Sequence, residues 1–119
     1  MKHICYFEVP ADNLDRAKHF YNKLFGWDFS EMSMGHAPYW TIKTPDGISG
    51  GLMARKDKNQ GITNYIEVGS ISEYLNKAKT LGAQVAVDKT TLPGMGHFAL
   101  IQDPENNVIG LWQIDPQAH

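Results

Sequence analysis

Between His3 and Val9 apolar and polar residues alternate, and period two places Cys5, Phe7 and Val9 on one face of a strand and Ile4, Tyr6 and Glu8 on the other. The first set should face a helix. Pro10 stops the strand, because it brings no N–H to a ladder. Asp12 or Asn13 then caps a helix with the stripe Leu14, Ala17, Tyr21 and Leu24, widened by Phe20 and Phe25 and closed by Gly26 in the left-handed conformation. Trp27–Met32, Tyr39–Lys43 and Ile48–Ala54 read as strands, with a turn at Thr44-Pro45-Asp46-Gly47 before the last.

The plan then repeats. Ile62–Val68 is a strand with Asn64, Ile66 and Val68 toward a helix and Thr63, Tyr65 and Glu67 opposite. Ser70 and Glu73 form a capping box opening a helix with the stripe Ile71, Leu75, Ala78 and Leu81, closed by Gly82. Gln84–Lys89, His97–Gln102 and Val108–Gln113 are strands, the last two joined by the turn Asp103-Pro104-Glu105-Asn106-Asn107. A shift of 59 positions lays Pro104 on Pro45, Gly110 on Gly51, Leu111 on Leu52, and YIEV at 65–68 on YFEV at 6–9. The chain is thus two copies of one βαβββ module, 1–54 and 62–119, joined by the polar linker 55–61, whose charges read as solvated. Five positions separate Val9 from Leu14 but three separate Val68 from Ile71, and the two extra residues read as a bulge around Pro10 and Ala11.

Composition narrows the function. The 119 residues suffice for one domain with its own core, and a net charge of −2 offers no basic surplus for a phosphate backbone, so nucleic acid is not an expected partner. No apolar run approaches the ~20 residues that span a bilayer, and MKHICYFEV lacks a charged-then-apolar leader, so the expectation is a cytoplasmic protein without a membrane partner. The single cysteine, Cys5, has no intrachain partner and reads as a small buried hydrophobe.

The face opposite the helices carries the candidate chemistry. Glu8 and Glu67 match at the repeat offset, each with a tyrosine two residues earlier, Tyr6 and Tyr65; parity adds Met53 and Trp112, two residues beyond Gly51 and Gly110. That is an aromatic pocket with a few polar groups, a usual form of small-molecule site. Two carboxylates on one cavity would serve as acid and base if their pKa values were driven apart, or would recognise a cation; the plainer alternative leaves them in solvent with the tyrosines as packing. His97, beside Gly94 and Gly96, is a weaker candidate base, and His36 lies in the matching loop of the first module. His19 reads as a surface partner of Asp15, and His3 and His119 as exposed; PGMGH lacks the strand-to-helix setting of a phosphate cradle.

LDRAKHFYNKLFGWDF, then YIEVGSISEYLNKAKTLGAQV, then DPENNVIGLWQ, in this order on two βαβββ modules, resemble the vicinal oxygen chelate superfamily, which includes glyoxalase I, bleomycin-resistance proteins, methylmalonyl-CoA epimerase and extradiol dioxygenases. The resemblance implies an α+β fold, a curled mixed sheet around a cleft with helices outside, a homodimer, and a small organic ligand in the cleft. It also implies a divalent metal held by one residue from the first and one from the last strand of each module, usually His, Gln or Glu. Here the last-strand positions are Gly51 and Gly110, and the first-strand positions are Thr63 and either Ile4 or Tyr6, depending on the alignment. The expected protein is therefore a member without the metal that binds or transforms a small organic ligand in the cleft, the ligand touching Tyr6, Glu8, Met53, Thr63, Tyr65, Glu67 and Trp112. The alternatives are a metal-dependent lyase or isomerase of glyoxalase type or a dioxygenase, and a module that only associates with other proteins.

Overall fold

The structure is a computed structural model and describes residues 2–34 and 37–119. Eight strands and two helices alternate as β1 (Ile4–Ala11), α1 (Leu14–Phe25), β2 (Asp28–Met34), β3 (Ala37–Lys43), β4 (Gly50–Ala54), β5 (Thr63–Glu67), α2 (Ile71–Thr80), β6 (Gln84–Leu92), β7 (Gly96–Gln102) and β8 (Val108–Ile114). This is the α+β, twice βαβββ pattern that the repeat demands. By internal contacts the chain divides into two compact units, residues 6–63, and residues 64–119 together with the first five. Among the described residues no helix is long and apolar enough to cross a membrane.

In the first unit the strands run in the order β2, β3, β4, β1, antiparallel up to β4, which pairs in parallel with β1. Asn13 caps α1 by accepting a hydrogen bond from the Arg16 N–H, and Gly26 ends the helix at φ 74°. Alternation works as read: Phe7 and Val9 pack with Leu14, Ala17, Tyr21, Ile42 and Leu52 on the helix side of the sheet. The helical stripe is narrower than expected. Trp27 stacks on Tyr21 with ring centroids 5.1 Å apart and closes that side of the core, so Phe20, Leu24 and Phe25 each stay more than half exposed.

Pro10 does not stop β1. The strand continues through Pro10 and Ala11, which pair with Met53 and Ala54, so the two extra residues lengthen the strand instead of forming a bulge. Proline lacks only its donor; its carbonyl accepts from Arg55 Nη2 at 3.3 Å. Arg55, expected in solvent, is tied down by the same extension, with Nε on Asp12 Oδ1 at 3.1 Å and Nη1 on the Gln60 carbonyl. Asp15 pairs with Lys18 at 3.3 Å rather than with His19.

In the second unit the strand order is β5, β8, β7, β6, with β5 parallel to β8 and the rest antiparallel. Ser70 caps α2 through the Glu73 N–H, and Ile71 and Leu75 bury into a core with Val68, Ala99 and Leu111. Leu81 is 77% exposed because it has become the helix's C-cap, beyond the last turn that meets the sheet; Tyr74 fills the stripe instead. Residues 2–5 belong here: Lys2 N–H donates to the Glu67 carbonyl at 2.9 Å, and Glu67 N–H to the His3 carbonyl at 3.3 Å. Cys5 is half-buried rather than buried; its Sγ lies 3.5 Å from the Tyr65 carbonyl, and burial followed by the Glu67 charge holds its thiol pKa above the ordinary value.

Candidate functional site

In the parallel ladder of the first unit Glu8 stands opposite Gly51, whereas in the second unit Tyr65 stands opposite Gly110. The sequence offset of 59 is therefore not the structural equivalence of the first strands. With the glycines as anchors, Glu8 corresponds to Tyr65, Tyr6 to Thr63, and Pro10 to Glu67. The cause is the extension of β1 by Pro10 and Ala11. Glu8 and Glu67 are not counterparts in the fold, and of the two alignments of the first-strand position it is Tyr6 that matches Thr63.

The face of the first unit opposite α1 carries a hydrogen-bonded cluster. Tyr39, from β3, donates its hydroxyl to Glu8 Oε2 at 2.8 Å, and the Tyr6 and Tyr39 hydroxyl oxygens are 2.6 Å apart. Tyr39 has one proton and gives it to the carboxylate, so Tyr6 is the donor in the second bond. The order is Tyr6 to Tyr39 to Glu8. Burial, then the Glu8 charge, drives the Tyr39 pKa far up; burial also raises that of Tyr6. Both phenols are neutral at any physiological pH. Tyr39 is paired in register with Met53 across β3 and β4 and with Met32 across β2 and β3, so half-buried thioethers flank the cluster on the same face.

Gly51 is the reason the cluster fits. A Cβ built there would overlap the Tyr39 hydroxyl and lie 2.9 Å from that of Tyr6. Gly110 does the same for the Tyr65 ring, which a Cβ would overlap. At both last-strand positions where the superfamily places a metal ligand, a tyrosine thus fills the space in which a ligand side chain would begin. Among the described residues no three His, Cys, Asp or Glu side chains come together as a metal-holding group.

The remaining candidates fall in the second unit or its margin. Thr63 and Tyr65 are buried, at 8% and 6% exposure, and Glu67 and Trp112 are half-buried and paired in register between β5 and β8. Trp112 leans over Gly96, whose Cβ would sit 3.1 Å from its ring. His97 is locked. Its Nδ1 is 2.9 Å from Thr91 Oγ1 and its Nε2 is 2.9 Å from Asp115 Oδ2, and it is 8% exposed. The carboxylate accepts from Nε2–H, which makes Nδ1 the acceptor for the threonine hydroxyl. Nothing in that arrangement brings a loop-borne base over a ligand; it fastens the C-terminal segment to β7. His36 lies outside the described residues.

Tyr39 is the residue that strand parity on the first and last strands overlooked. A signal was present: two glycines inside a strand pattern, Gly50 and Gly51, announce a close approach by another group. Parity and register along β3 then single out Tyr39 as the group that approaches.

Comparison with known proteins agrees with the fold. The family described as Bleomycin resistance protein-like N-terminal matches residues 3–37. CFP32 of Mycobacterium bovis and of Mycobacterium tuberculosis, which carries a glyoxylase name, is 28% identical over 115 residues, an alignment covering 92% of this chain and 43% of the relative. The chain thus spans less than half the length of the curated relatives it matches. A glyoxalase/bleomycin resistance protein/dioxygenase superfamily member from Vibrio splendidus 12B01 superposes with a TM-score of 0.71 at 11% identity, covering 91% of this chain and 96% of that one. A single-substitution variant of methylmalonyl-CoA epimerase from Streptomyces coelicolor, in complex with 2-nitronate-propionyl-CoA, superposes with a TM-score of 0.70 at 12% identity over 100% and 99% of the two chains. These superpositions show that the chain has the fold of the glyoxalase/bleomycin resistance protein/dioxygenase structures.

Proposed function

We propose that this protein binds a small organic molecule on the face of the first unit that carries Tyr6, Glu8, Tyr39 and Met53, and that it does so without a divalent metal at the superfamily position. The observation that carries the reading is the pairing of Gly51 with Tyr39: the glycine gives up a ligand side chain and the phenol takes its space. Polar groups in fixed geometry beside half-buried apolar side chains are what a small-molecule site requires. As a superfamily member of this kind the protein works as a homodimer. The competing reading, a metal-dependent lyase or isomerase of glyoxalase type, is favoured by the name of CFP32 and by the epimerase likeness.

Elemental analysis of the purified protein, and calorimetric titration with nickel, zinc and manganese, separate the two. The expected result is no stoichiometric metal and no tight binding. A metabolite screen by thermal shift follows, and a ligand so found should lose affinity about tenfold with Glu8→Gln, as for the loss of a charged hydrogen-bond partner. One tightly held ion per chain sinks the reading and promotes the competitor.

A further inference from the structure

The helix side of the first unit holds a second feature, apart from the face that carries Tyr6, Glu8 and Tyr39. An open cleft of about 360 Å³ lies where the end of β1 meets the start of α1, with Val9, Ala17, Phe20 and Tyr21 as apolar walls and Arg16 and Arg55 among the charged ones. That volume lies within the roughly 300–1,000 Å³ of small-molecule sites. The charges around it do not cancel. Asp12 is taken by Arg55 at 3.1 Å, and Asp15, in the first turn of the helix, by Lys18 at 3.3 Å. Asn13 spends its side-chain carbonyl on the Arg16 N–H. The Arg16 guanidinium is left with no hydrogen bond or ion pair among the described residues, an unmatched cation on a chain whose net charge is −2.

Phe20 stands one helical turn from Arg16 on the same side of α1, and both line the cleft. Its ring is held edge-on to Tyr21 with centroids 5.1 Å apart, and Tyr21 in turn stacks on Trp27. The ring is therefore positioned along one edge and yet 55% exposed, and the core does not need it, since Trp27 already closes that side. A guanidinium and an aromatic ring one turn apart suit two parts of one small molecule: the fork of N–H donors grips a carboxylate, and the ring takes a flat apolar body. Arg55 forms a fixed wall, because three of its five N–H groups are spent on Asp12 and on the Gln60 and Pro10 carbonyls. We propose that this cleft is a second ligand site, and that it takes a small aromatic carboxylate, held by Arg16 through its anion and by Phe20 through its ring.

Two probes with one ring system and opposite charge test this, 2-naphthoate and 2-naphthylmethylammonium, titrated into the full chain while the Ala17 and Met53 methyl resonances are followed by NMR. Ala17 reports the cleft and Met53 the face that carries Tyr39. Naphthoate should shift Ala17 saturably and leave Met53 in place, the ammonium should bind about tenfold more weakly at Ala17, and added salt should weaken naphthoate, because the ion pair stays open to water. Arg16→Gln should lower naphthoate affinity about fivefold, and Arg16→Lys, which keeps the charge and loses the fork, should recover only part of it. Phe20→Ala should lower it about threefold to tenfold, as for the loss of one aromatic contact. Both side chains are exposed, so these variants should keep the wild-type urea midpoint. Lys23→Gln, which removes a cation from the last turn of the same helix and outside the cleft, should leave naphthoate affinity unchanged. Equal binding of the two probes, an Arg16→Gln affinity equal to wild type, or silence of Ala17 with naphthoate overturns the inference. A shift of Met53 alone also overturns it while supporting the opposite face as a binding site, so the two readings fail separately.

Discussion

Gly51→Ala is the smallest change that tests how the site is built. The added Cβ would overlap the Tyr39 hydroxyl, and two responses are open to the protein. If Tyr39 stays, the overlap is relieved by shifts of the β3 and β4 backbones, and overpacking of this kind costs about 1–3 kcal/mol. If Tyr39 swings away, the cluster loses its bond to Glu8, a charged acceptor, at about 1.5–3 kcal/mol, and its bond to Tyr6, at about 0.5–1.5 kcal/mol. Alanine returns about 0.5–1 kcal/mol by narrowing the unfolded ensemble. The cheaper response decides, and the net destabilisation is about 1–2 kcal/mol. Gly61→Ala is the matched control, since nothing lies within 4 Å of a Cβ there; it should be neutral or stabilising by about 0.4–1 kcal/mol. Urea unfolding with linear extrapolation measures both. The decisive comparison repeats Gly51→Ala in a Tyr39→Ala background, where the overlap with Tyr39 is gone and the substitution should become nearly neutral. A Gly51→Ala variant as stable as Gly61→Ala, or one whose cost is the same with and without Tyr39, would show that the phenol does not occupy the glycine's space.

Two further outcomes follow from the second unit and from the assembly. The hydrogen bond from His97, with the Gln117 N–H, holds the Asp115 carboxyl below its ordinary pKa. A carboxyl with a depressed folded-state pKa contributes stability that is complete above the unfolded value of about 3.9 and is lost as pH falls through the folded one. Urea midpoints measured from pH 6 down to about pH 2 should therefore fall more steeply for wild type than for Asp115→Asn, and parallel curves would refute the assignment. Light scattering coupled to size exclusion should give a dimer mass at micromolar concentration; a monomer mass sinks the homodimer.

Much of the architecture was written locally. Period-two alternation in YFEV and YIEV, the caps Asn13 and Ser70, the left-handed Gly26 and the repeat at offset 59 determined two βαβββ modules and which face of each first strand meets its helix. These features depend on contacts within a few residues or on a period the chain displays directly. The sequence also showed that glycine stands at both last-strand positions. What occupies the vacated space was decided by tertiary structure, because it depends on which strands become neighbours. Pro10 looked like a terminator and is a paired strand residue, and that one extension moves Glu8 from the expected counterpart of Glu67 to the partner of Gly51. Tyr39 is 31 residues from Glu8 and 12 from Gly51, on a strand whose register against β4 no local pattern specifies, and only the assembled ladder brings its hydroxyl to the carboxylate. The exposed Phe20, Leu24, Phe25 and Leu81 teach the same lesson for packing: helical periodicity names the residues that are able to face a core, while the width of the sheet and the reach of Trp27 decide how many of them do.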